Sequence, residues 1–108
     1  MAATSVVVKE GREQFGGVFS KVWAAKGTIN FAEVADGDEA VDTIAVPGVA
    51  LGDVVIGISA SIDVEDMTLV AAVTGSNEVT VQVLNNTGGA INLASAVYKV
   101  IVGRTIFE

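Results

Sequence analysis

Val79-Thr80-Val81-Gln82-Val83-Leu84-Asn85-Asn86-Thr87-Gly88-Gly89 begins in strict alternation and ends in a cluster of turn residues. Val79, Val81 and Val83 fall on one side of an extended segment, and Thr80 and Gln82 on the other. Period two with β-branched residues is the pattern of a half-buried strand. Asn85 to Gly89 then stops it, because Asn and Gly accept the backbone angles that turns require. Most of the chain from Thr28 onward repeats this format.

Working outward, residues 28–31 alternate, with Ile29 and Phe31 on one side. Ala35-Asp36-Gly37-Asp38-Glu39 reads as a turn. Val41, Thr43 and Ala45 alternate with Asp42, Ile44 and Val46. Pro47-Gly48 marks a second turn, with Pro second and Gly third, as type II turns prefer. Val54-Val55-Ile56-Gly57-Ile58 is apolar on both sides and predicts an interior strand. A polar connection at residues 61–66 leads into a strand at 67–74. Gly75-Ser76-Asn77 is then a hairpin loop into Val79. Residues 97–102 form a closing strand, which residues 105–107 extend past Gly103. Six or seven short strands with Gly-rich turns predict an all-β fold, an antiparallel β-sandwich or small barrel.

The first 27 residues read differently. Residues 5–9 suit a short strand, after which Gly11, Gly16 and Gly17 interrupt any regular pattern. Phe15, Val18, Phe19, Val22 and Trp23 sit at helical spacing, yet the same residues admit a strand. The organisation expected is an N-terminal arm at residues 1–27 and a β-sandwich domain at residues 28–108. Phe15, Phe19 and Trp23 are the candidate protein-contact residues, because Phe and Trp favour interface cores. Their alternative role is to cover one end of the β core.

The 108 residues suit one domain with a modest core. The chain has no Cys and no His, which removes disulfides, thiolate metal sites and the commonest general base. The net charge of −7 is uneven. Residues 1–27 carry Lys9, Arg12, Lys21 and Lys26 against Glu10 and Glu13, and residues 28–108 carry only Lys99 and Arg104 against eleven acids. An acidic body repels phosphates, so no nucleic-acid partner is expected. No apolar run reaches membrane-spanning length, and none is expected to act as a secretion signal. The expectation is a protein made in a cytoplasm, with no membrane partner.

The search for chemistry is mostly negative. Ser59, Ser61, Ser76 and Ser95 have no His to activate them, and no partner Ser is marked for Lys99. No Gly-rich loop leads into a helix with a Lys-Ser/Thr ending. Asp36, Asp38, Glu39 and Asp42 form the main carboxylate cluster, and Asp63, Glu65 and Asp66 a weaker one. Asp36 and Asp38 have the alternate spacing of calcium ligands, but the twelve-residue calcium loop is missing, so a solvated turn is the reading taken. No catalytic residue, cofactor or metal is expected, and the chain is not expected to be an enzyme.

A resemblance adds to this. Val46-Pro47-Gly48-Val49-Ala50-Leu51-Gly52-Asp53-Val54-Val55 resembles a pattern in small structural proteins of tailed bacteriophages. The segment running from Asn77 through Asn85-Asn86-Thr87-Gly88-Gly89 to Ile91 is similar too, as are Ala94-Ser95-Ala96-Val97-Tyr98-Lys99-Val100 and Thr28-Ile29-Asn30-Phe31. The match spans roughly residues 28–102. It implies a β-sandwich virion module, often trimeric, of the kind that decorates heads or forms part of head or tail fibres. The function so implied is a decoration or cement protein on the outer capsid surface, with the major capsid protein and itself, as a homotrimer, for partners. The alternative is a fibre or spike module that binds host surface glycans.

Overall fold

The computed structural model describes residues 2–11 and 18–107. It contains seven strands: β1 (Thr4–Gly11), β2 (Phe19–Ile29), β3 (Glu39–Ala45), β4 (Val54–Ala60), β5 (Thr68–Gly75), β6 (Glu78–Leu84) and β7 (Ala96–Thr105). They form two antiparallel sheets, one of four strands in the order β1-β2-β7-β4 and one of three in the order β3-β6-β5. The sheets pack face to face as a small β-sandwich, the fold class that the alternation predicts. No helix occurs among the described residues.

The centre strands supply the core. Val79, Val81 and Val83 of β6 are fully buried, and Thr80 and Gln82 turn outward. On the opposing sheet Tyr98, Val100 and Val102 of β7 point inward beside Trp23, Ala25 and Ile29 of β2. Each buried Val contributes on the order of 1.5–3 kcal/mol relative to exposure. In β3 Asp42 and Ile44 point inward, continued by Val46 just past the strand, while Val41 and Ala45 face solvent. Parity alone carries Asp42 inward, where its Oδ1 accepts the Thr43 N–H at 2.9 Å.

Two sequence expectations change. The boundary at Thr28 falls inside β2, and residues 4–11 and 19–29 are strands of the four-stranded sheet rather than an arm. β2 is an interior strand of that sheet, paired along its length with β7 from Phe19↔Thr105 to Ile29↔Ala96. Gly11 ends β1, and the segment from Phe19 to Ile29 is extended rather than helical. β4, expected in the interior, is an edge strand. Its two apolar faces have different causes: Val55 and Ile58 pack on the core, whereas Val54 and Ile56 belong to an open apolar surface.

Polar side chains lock both ends. At one end Arg104 holds Asp53 in a forked pair, Nε to Oδ1 at 3.0 Å and a terminal nitrogen to Oδ2 at 2.9 Å, and also donates to the Gly48 carbonyl. Its guanidinium lies 5.3 Å from the centre of the Trp23 ring. Gly48 has φ +102°, and a Cβ there would come 3.2 Å from the indole nitrogen, so both the turn and the packing demand glycine. At the other end Asn85 is buried. Its Nδ2 donates to the carbonyls of Val34 and Gly89, and its Oδ1 accepts from the N–H and hydroxyl of Thr87.

Candidate interaction face

The outward side of the four-stranded sheet combines exposed apolar side chains with lysines. Register sets its rows. Val7 pairs with Lys26, Lys26 with Lys99, and Lys99 with Ser59. In the next outward row Lys9 pairs with Ala24, Ala24 with Ile101, and Ile101 with Gly57. The residues between these rows, Val8, Ala25, Val100 and Ile58, pack on the core. The sequence rule is simple: Val7 and Lys9, Ala24 and Lys26, Lys99 and Ile101 are each two apart, so each pair shares a side of its strand.

Small residues make the floor of this surface. Ala24 and Gly57 lie between longer neighbours, leaving a shallow trough of about 500 Å³ walled by Val7 and Ile101. Val7 and Ile101 remain 46% and 44% exposed, so nearly half of each is uncovered in the single chain. Lys9, Lys26 and Lys99 rim the trough. No ion pair or hydrogen bond joins any of the three to another described residue. Half of the chain's six cationic side chains therefore stand on one face without a counter-charge.

Further along the same face the apolar surface continues. An added Cβ on Gly103 would lie 2.5 Å from Phe19 and 3.1 Å from Ile56, so both side chains lie over that bare backbone. Of the three aromatic residues expected to contact a partner, Phe19 is half-buried at this place. Trp23 is 1% exposed and belongs to the chain's own core, which corrects its assignment as a contact residue. Its parity with Ala25 and Ile29 on β2 turns the indole inward. Phe15 lies outside the described residues.

The carboxylates gather elsewhere. Strand directions bring the loops at residues 30–38, 61–67 and 85–95 to one end of the sandwich. Glu33, Asp36 and Asp38 stand exposed on the first, and Asp63, Glu65 and Asp66 on the second, with Glu39 opening β3 beside them. None of these three loops contains Lys or Arg. Several of the acids organise backbone. Asp36 accepts the Gly88 N–H at 3.0 Å, Asp38 the Glu39 N–H at 2.8 Å, and Asp63 the Glu65 N–H at 2.9 Å. Glu39 also accepts from Gln82. Among the described residues no three carboxylates converge as a cation site.

Among the described residues two ionisable groups are clearly shifted. Burial by itself raises the Asp53 carboxyl, but hydrogen bonds from Arg104 and the Ala50 N–H, with the guanidinium charge, outweigh it and hold the group below its ordinary value. Burial pushes the Tyr98 phenol up. The Tyr98 ring packs edge-on against Phe31 at 5.4 Å, and its hydroxyl has no hydrogen-bond partner in the core.

Alternation placed the strands, but the lysine-rimmed trough was not visible as a motif. Its residues come from four strands that pair only after the sheet forms. The usable signal was the repeated outward couple of one lysine and one apolar residue. Compared with known proteins, the chain matches no protein family, no curated protein and no solved structure.

Proposed function

We propose that this chain is a virion structural protein of a tailed bacteriophage, a decoration or cement protein that binds the outer capsid surface as a homotrimer and reinforces it. The observation that carries the reading is where the resembling segments fall. Val46 to Val55 is the β3–β4 connection clamped by Asp53 and Arg104, Asn77 to Ile91 is β6 with its Asn85-locked loop, and Ala94 to Val100 leads into β7. They are successive parts of one sandwich and not scattered turns.

The disposition of polar groups supports a binding role. Asp36, Asp38, Asp42, Asp53, Asn77 and Asn85 are each committed to backbone or side-chain partners that hold turns and ends. What the fold turns outward on its larger sheet is a broad apolar surface, a common mark of an interaction site. A glycan-binding fibre module presents a platform of aromatic rings for sugars to stack on, whereas the only Tyr and the only Trp are buried and, among the described residues, Phe107 alone is an exposed ring.

The test is binding of the purified protein to phage heads assembled without it. Co-sedimentation, with electron-microscopic density at repeated positions of the capsid lattice, is the expected result. Density confined to a fibre tip, or no binding to heads, would refute the proposal.

A further inference from the structure

We infer that the lysine-rimmed face of the four-stranded sheet is the subunit interface, and that its occupant is the acidic end of a second copy of this chain. The inference rests on the oligomer contained in the preceding proposal and not on the capsid. It starts from the uncovered trough floored by Ala24 and Gly57 and rimmed by Lys9, Lys26 and Lys99. Lys26 and Lys99 are directly opposed across β2 and β7. Like charges so placed repel, and a neighbouring carboxylate relieves that repulsion.

The face cannot serve itself. A two-fold contact would set this lysine surface against its own copy, adding repulsion to repulsion. The complementary surface is present on the same molecule. The loop end carries Glu33, Asp36, Asp38, Asp63, Glu65 and Asp66 without a single cation in its loops. Between these acids stand the small exposed side chains of Ala32, Ala90 and Ala94, which suit a shallow trough.

Size fits as well. The molecule measures 44 × 25 × 22 Å, a short rod whose loop end has a cross-section of about 550 Å². Counting both partners, an end-to-side contact covers about 1,100 Å², just above the ~1,000 Å² that a specific interface needs. Such a contact is heterologous, joining unlike surfaces, so it saturates only by closing into a ring. Three rods, each abutting the side of the next, make a closed pinwheel.

Light scattering across protein concentration and ionic strength tests this. The wild type is expected at three times the chain mass, shifting toward one chain mass as salt screens the contact. Lys26→Glu with Lys99→Glu is expected at one chain mass, with an unchanged circular dichroism spectrum. Adding Glu33→Lys, Glu65→Lys and Asp66→Lys to that variant sets three new cations on the loop end opposite the two new carboxylates and is expected to restore the trimer. Those three carboxylates hold no hydrogen bond to another described residue, but Glu65 and Asp66 sit at φ +56° and +71°, so circular dichroism of the five-site variant is the check that its turn persists. A monomeric wild type, a trimer that survives the two lysine substitutions, or a failed restoration in the folded five-site variant would overturn the inference. A wild-type trimer that ignores phage heads ends the decoration proposal and leaves this interface standing.

Discussion

Replacing Asn85 separates two ways of holding the acidic end together. The side chain makes four hydrogen bonds from a fully buried position, and its amide orientation is set by its partners: two carbonyls face the nitrogen, while an N–H and a hydroxyl face the oxygen. A neutral hydrogen bond contributes about 0.5–1.5 kcal/mol net. In Asn85→Ala the Val34 carbonyl keeps its bond from the Ile91 N–H, and the Thr87 and Gly89 groups lie where water can reach them. The expected loss is therefore about 3 kcal/mol, in the lower half of the roughly 2–6 kcal/mol that four bonds span, because the freed partners find other bonds. Asn85→Asp has the same shape but sets a carboxylate oxygen against two carbonyls. Its folded-state pKa must rise, because only the protonated acid can donate there. A raised pKa means stability that is present below the ordinary carboxylate value of about 3.9 and lost as pH climbs through the raised one. The Asp variant should thus be less stable than the Ala variant at pH 7 and more stable near pH 4. Urea titration followed by the fluorescence of Trp23, the only Trp, measures both. An Ala variant within about 0.5 kcal/mol of wild type, or an Asp variant with no crossing, would refute the buried clamp.

Arg104→Ala should cost about 3 kcal/mol, since it strands the Asp53 carboxyl, only 5% exposed, without its charge partner. The Asp53 pKa is depressed in the folded state, so the wild type should lose this contribution as pH falls below about 4 and through the depressed value, an acid step that Arg104→Ala abolishes. Tyr98→Phe should be neutral or stabilising by about 1 kcal/mol, because it removes a buried hydroxyl without a partner. The raised Tyr98 pKa adds a loss of stability as pH rises past about 10, which the Phe variant should lack in alkaline urea titrations.

Legibility in the sequence followed the range of the physics. Val79, Val81 and Val83 declare their burial through local parity, and Pro47-Gly48 declares its turn through local backbone preference. Asn85 was readable as a turn residue but not as a buried clamp, since its partner Val34, 51 residues away, reaches it only through tertiary folding. Trp23 was ambiguous because helix and strand periods agree over so short a segment, and only the pairing of β2 with β7 decided that it points inward. β4 misled for a related reason: an apolar run signals burial on both sides, and an uncovered apolar face produces the same letters. The three lysines are far apart in sequence, and no local pattern brings them together.

The pairing of β2 with β7 also sets an order of events during synthesis. The three-stranded sheet is complete in sequence once Leu84 has emerged, and each of its pairings joins segments close along the chain or within one short excursion. The four-stranded sheet lacks one of its two interior strands until Ala96–Thr105 has been made. Until then β2 can pair only with β1, and Trp23 and Ile29 have half a core to pack on. Closing so long a loop is entropically costly, and folds dominated by such distant pairings form in milliseconds to seconds. The valine face of β6 therefore lacks the strand that covers its centre until β7 has been made, and β7 is the strand that shuts the sandwich.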